Sequence, residues 1–201
     1  MNVATVGGAG VPVDEVDARE ARLRDSPRAA ALPVAGTSEG RQLRRWLTQV
    51  IVTERLIAAE AGARGLSIED APTEAELLPD VTARLEIGSI AAAALADPLS
   101  RALFADLTAG VDVSDADVAD YHARNPLRFT AASPSSRGWR GPVVAAPLEQ
   151  VRSAIAEHLR AAARRRAFRV WLDARRAALV RLAPGYEHPG DPRQPDNTHR
   201  H

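Results

Sequence analysis

The stretch from Pro147 to about residue 178 most constrains how this chain can fold. Pro147 suits the first turn of a helix, where a missing N–H leaves no hydrogen bond unmade. Val151, Ile155, Leu159, Phe168, Trp171, Leu172 and Leu179 are the apolar positions that follow. At 1.5 Å per residue the helix would be on the order of 45 Å long. Leu179-Val180-Arg181-Leu182 then reads as a closing strand. The expectation is a chain whose two ends meet in space around one long returning helix, leaving an apolar hollow.

The other end supplies the matching strand. Residues 3–6 are short and β-prone, and Gly7, Gly8 and Gly10 precede Val11-Pro12-Val13, a hairpin or a strand and turn. A helix from Asp14 stops near Ser26-Pro27, because the residue before proline is biased away from helix. After a loop over 25–37, Ser38 is the expected N-cap of an amphipathic helix to about Ala63. Leu43, Trp46, Leu47, Val50, Ile51, Leu56 and Ile57 recur there at three- and four-residue spacings, and Gly65 closes it. Residues 73–96 form a second long segment with Leu77, Leu78, Val81, Leu85, Ile87 and Ile90 as its apolar set. Pro79 and Gly88 should kink or break it. A short helix over 98–107 precedes an extended link at 110–113. Ser114 then caps a helix with Asp115 and Asp117 in its first turn, which ends before Asn125-Pro126.

Composition excludes several function classes. The 201 residues contain no cysteine, which removes disulfides, a thiol nucleophile and Cys-based metal sites. The 26 basic residues are all arginine and balance 26 acids, so Schiff-base and P-loop lysines are excluded and no net basic charge points to nucleic acid. No run approaches the ~18 apolar residues that mark a membrane-spanning helix. The N-terminus has neither a basic nor a hydrophobic leader region, so a cytoplasmic location is expected. Ile87-Gly88-Ser89-Ile90 lacks the second glycine of a hydrolase or acyltransferase elbow.

Three passages carry a family resemblance. They are Val3-Ala4-Thr5-Val6-Gly7-Gly8 with residues 11–16; residues 43–66 with Trp46, Leu47, Glu54, Leu56, Glu60, Ala61 and Arg64-Gly65-Leu66; and residues 111–118 with Tyr121, Asn125-Pro126 and Phe129. Their order resembles the non-catalytic part of SurA-like and PrsA-like chaperones, related in fold to the C-terminal region of trigger factor. The resemblance covers most of residues 1–182. It implies a helical cradle closed by its own terminal strands. In that family an isomerase domain of the parvulin type often follows the phenylalanine. Here residues 130–146 form only a loop or hinge, so the resemblance implies a core without that domain.

Such a cradle would bind extended apolar segments of other polypeptides. Trp46, Tyr121, Phe129 and Trp139 are the candidate peptide-binding side chains. For Trp46, as for Trp171, a core role on the apolar helix face competes with that reading. Trp139 differs, lying in a loop between Arg137-Gly138 and Arg140-Gly141. The Pro/His-rich tail at 184–201 holds three of the five histidines, His188, His199 and His201. Imidazole suits a divalent transition metal, and Glu187, Asp191 or Asp196 could add oxygen, although no recognised ligand spacing is present. A tail docked on the body, or a disordered one, are the alternatives. The arginines at 160, 164, 165, 166 and 169 offer a face to an acidic partner, or pair with local acids.

The expected fold is therefore mostly α, one domain over 1–183 with a small β element joining its ends, followed by an irregular tail. The expected function is non-catalytic: a chaperone-like or scaffold protein binding a polypeptide client or partner protein, with no cofactor, no nucleic acid and no membrane. The alternatives are a metal-binding accessory protein using the tail histidines, and a regulatory module using the arginine face.

Overall fold

A computed structural model describes residues 1–27, 29–69, 71–129 and 145–191. Strands β1 (Asn2–Val6) and β2 (Ala9–Pro12) form a hairpin. Gly7 and Gly8 make its two-residue turn with φ of +56° and +88°. Positive φ at both positions matches the twist of the flanking strands and favours glycine. Helix α1 (Val13–Arg24) leaves β2 directly. A 3-10 turn at Ala29–Ala31 interrupts the loop that follows.

Helix α2 (Ser38–Ala63) is the axis of the molecule. Its N-cap is Thr37, whose hydroxyl accepts from Gly40 N at 3.0 Å. The expected cap, Ser38, is instead the first helical residue, because Thr37 keeps the extended backbone a cap requires. At the other end Gly65 N donates to Gly62 O and Leu66 N to Ala61 O. These two bonds, with Gly65 at φ +65°, complete a Schellman motif. Every residue from 47 to 53 is buried. A helix enclosed on all sides must satisfy its polar side chains internally. Thr48 and Thr53 donate back to Arg44 O and Gln49 O, while Gln49 donates to Tyr186 O at 2.9 Å.

The segment at 73–96 is broken where proline and glycine stand. It gives α3 (Glu74–Leu77), α4 (Val81–Ile87) and α5 (Ser89–Ala94). Gly88, at φ +88°, turns the chain between the last two. One expectation fails here. Val81 and Leu85 belong to the expected apolar set, yet they are 71% and 74% exposed. Asp80 restarts the helix after Pro79 with Ala83 and Ile87 facing inward. Val81 and Leu85 each lie two residues from that pair, about 200° around the helix.

Helix α6 (Pro98–Thr108) begins with Asp97 as cap. Helix α7 (Asp115–Arg124) begins with a Ser114–Asp117 capping box. Helix α8 (Leu148–Leu179) has 32 residues and is about 48 Å long. Pro147 sits at its N-cap, one residue before the expected first-turn position, and Leu179 is partly exposed rather than core. Phe168 is fully buried, its ring tilted against Phe104 at 5.1 Å and Trp171 at 5.6 Å. Arg165 is buried too, donating to Glu86 at 2.8 Å and to Leu77 O.

Strand β3 (Val180–Leu182) pairs antiparallel with β1, Val6 opposite Val180 and Ala4 opposite Leu182, giving the order β2-β1-β3. The two ends of the fold thus meet in one sheet. The β1 residues Val3, Ala4 and Val6 enter the same apolar core as α2, α6 and α8. The protein is mostly helical with a small three-stranded sheet. Among the described residues no helix is long and apolar enough to cross a membrane.

An ionic cluster ties α1 to α2. Glu20, nearly buried, accepts from Arg24 at 2.6 Å and from Arg44 at 2.7 Å. Burial by itself raises the Glu20 pKa, but the hydrogen bonds from Arg24 and Arg44 outweigh it and hold the carboxyl below its ordinary 4.5. A depressed folded-state pKa contributes stability above the unfolded value, and that contribution is lost as pH falls through the folded one. Glu20→Gln is expected to remove about 2 kcal/mol at neutral pH. Urea titrations below and above pH 4.5 should also show the variant losing less stability on acidification than the wild type. An unchanged acid limb would assign the cluster no role there.

Candidate functional site

An apolar concavity lies between α4 and α5. Val81 and Leu85 line one side and Ala92, Ala93 and Ala96 another, around a cavity of about 390 Å³. The alanines leave the depth that larger side chains would fill. Glu74 and Arg84 stand at the rim and pair at 2.8 Å, so the two charges cancel. The combination is an apolar hollow with a neutral rim.

The expected binding aromatics do not converge on it as a group. Trp46 is half-buried against the core, and its indole N–H donates to Ser89 Oγ at 3.3 Å. Ser89 also borders the α4–α5 cavity, so Trp46 reaches that region only through its bond to Ser89 and is not itself in the lining. Trp171 is likewise half-buried against the core. Tyr121 and Phe129 belong to a different cluster, with ring centroids 6.1 Å apart and His158 of α8 within 6 Å of each. The Tyr121 hydroxyl meets His158 Nε2 at 3.3 Å. Burial, with the cation of Arg128, holds the His158 pKa below its ordinary value, so the imidazole is neutral at physiological pH. His122 Nε2 lies 2.9 Å from the carbonyl of Ala146 and ties α7 to the approach of α8. This cluster pins the start of the returning helix. Trp139 lies outside the described residues, as does most of the expected hinge at 130–146.

The tail docks on the body as far as it is described. Arg45 Nε donates to Gly185 O at 3.1 Å, Gln49 holds Tyr186 O, and Tyr186 packs against the core. His188 Nδ1 accepts from Gly190 N at 3.0 Å within a tight turn. His199 and His201 lie outside the described residues. Among the described residues no group of three or more histidines and carboxylates is placed to hold a metal. His188 has its pKa lowered by burial and by the neighbouring cation of Arg176.

The arginine face is largely engaged locally. Arg160 bonds Asp112 at 2.9 Å, Arg165 bonds Glu86, and Arg169 lies 3.9 Å from Asp173. Glu54 and Glu60 serve packing in the same way, Glu54 with Arg19 at 2.6 Å and Glu60 with Arg64 and Arg175.

What sequence reasoning missed is the exposed Val81–Leu85 pair. Pro79 and Gly88 mark the bounds of that short helix, but no local signal chooses which of its two apolar sides is covered.

Residues 2–39, which span the hairpin, α1 and the entry to α2, match a family of unknown function (DUF7158). No curated protein and no solved structure matches the chain.

Proposed function

We propose that this chain is a non-catalytic, chaperone-like or scaffold protein that holds extended apolar polypeptide segments, built like a SurA/PrsA-type core without the isomerase domain. The observation that carries the reading is the Val81–Leu85 pair, exposed above a hollow floored by alanines. Leaving two large aliphatic side chains in water forgoes about 1.5–3 kcal/mol of burial each, which a bound apolar segment recovers. The neutral Glu74–Arg84 rim favours an uncharged segment over an acidic or basic one. The joined terminal strands and the returning helix supply a rigid frame for such a surface, as the family resemblance implies.

The test is suppression of aggregation. Wild-type protein at near-equimolar ratio should lower the light scattering of a thermally unfolding client. The double variant Val81→Asp, Leu85→Asp should lose most of that effect and bind a fluorescent apolar peptide about ten-fold more weakly or worse. Both side chains are exposed, so the variant should keep its melting temperature within a few degrees. Equal protection by wild type and variant, or none by the wild type, rules the reading out.

A further inference from the structure

A second cavity, of about 280 Å³, lies between the Gly88 turn, the C-terminal part of α8 and the docked tail. Its chemistry differs from that of the α4–α5 hollow. Ile90 and Leu172 supply apolar wall, while Arg169, Asp173, Arg176 and His188 supply polar groups. Two guanidinium groups and one carboxylate border the space. Asp173 lies 3.9 Å from Arg169. Arg176 has no carboxylate partner among the described residues. Its Nη1 donates to Thr53 Oγ1 at 2.6 Å and to Gln49 O at 3.4 Å, and its Nη2 donates to Gln49 Oε1. Among the described residues its Nε–H and one Nη2 proton have no acceptor. Its hydrogen-bond partners are all neutral, and the carboxylate whose charge acts on it, Asp173, is shared with Arg169.

Two further donors border the same space. Ser89 Oγ accepts from the Trp46 indole, so its own proton remains to be given. His188 accepts a backbone N–H at Nδ1, so in its neutral form the proton resides on Nε2. Donors therefore outnumber acceptors around an apolar wall.

From this arrangement we propose that the cavity is a binding site for a small amphipathic monocarboxylate, its carboxylate on Arg176 and Arg169 and its apolar body against Ile90 and Leu172. A planar carboxylate matches the guanidinium fork. A lining with two guanidinium groups and one carboxylate suits a monoanion better than a phosphate dianion. The volume, at the lower end for ligand cavities, suits a short chain. The same chemistry is offered by a free acyl acid and by the last residue of a polypeptide that ends in an aliphatic side chain.

Calorimetric titration of the full chain with octanoate, octanol and acetate tests the site. Octanoate should bind with one-to-one stoichiometry, and octanol and acetate about ten-fold more weakly or worse. Arg169→Glu, at an exposed position whose contacts are the 3.9 Å pair with Asp173 and a 3.4 Å bond to Glu86 O, should weaken octanoate by about ten-fold or more while its melting curve shows a folded protein. Backbone amide shifts at residues 88–91 and at His188 should move on saturation. Val81→Asp, Leu85→Asp should bind octanoate as the wild type does, so that failure of the polypeptide reading and failure of this one are separable. A short peptide ending in leucine, as free acid and as amide, distinguishes the two sources. Binding by the acid alone supports the site with a chain end as its ligand. The proposal is overturned if octanol binds as tightly as octanoate, if Arg169→Glu leaves binding intact, if the Val81/Leu85 variant abolishes it, or if neither octanoate nor the peptide acid binds.

Discussion

Replacing Phe168 by alanine is expected to destabilise the protein by about 3–5 kcal/mol. The ring is fully buried and stacks on Phe104 and Trp171, so it joins α6 to the middle of α8. Removing it deletes the transfer free energy of an aromatic side chain and leaves a cavity. Neighbours on two rigid helices cannot collapse into that space. At about 2–4 °C per kcal/mol for a chain of this size, the melting temperature should fall by roughly 10 °C. Urea unfolding should show a lower midpoint with an unchanged slope. A loss below about 1 kcal/mol would mean that α6 and α8 are not locked through this ring.

The second large effect concerns Gln49, at the centre of α2. Gln49→Leu preserves volume but removes a donor from Tyr186 O and an acceptor from Arg176. A guanidinium and a carbonyl then lose buried partners together, which should lower stability by about 3 kcal/mol. The loss should be localised. Amide hydrogen exchange should rise in the described tail, at Tyr186 and Asp191, whose N–H groups bond Ala183 O and His188 O, while the amides of α6 keep their protection. Adding Arg176→Leu to the Gln49→Leu background should recover part of the loss, because no cation is then left unpaired. If the tail exchanges no faster in Gln49→Leu, the docking depends on Arg45 and the Tyr186 ring instead.

Both effects depend on the returning helix: Phe168 carries its contact with α6, and Arg176 its contact with α2. The Ser114 cap with Asp117 in the first turn, the glycine turn at Gly7-Gly8 and the glycine after α2 were all legible in the chain, because each is decided within a few residues. The same holds for the breaks at Pro79 and Gly88. Which side of the resulting short helix would be covered was not legible. The apolar positions of α4 lie on two opposite sides, and only its contacts with α8 and α5 choose Ala83 and Ile87 as the inner pair. Trp46, Tyr121 and Phe129 illustrate the same limit. Their types mark them as able to bind apolar groups, but the fold sets Trp46 beside Ser89 and the other two beside His158.

By itself the sequence determined a mostly helical chain, the ends of its long helices and the β-strands at its two extremes, because turn chemistry and apolar periodicity act over short distances. The tertiary structure alone decided that Gln49 would find Tyr186 and Arg176, that Val81 and Leu85 would stay in water, and that two arginines of α8 would border a cavity with one carboxylate between them. Those outcomes join residues about 80 to 140 positions apart or depend on which neighbours remain to cover a surface, and no local propensity encodes either.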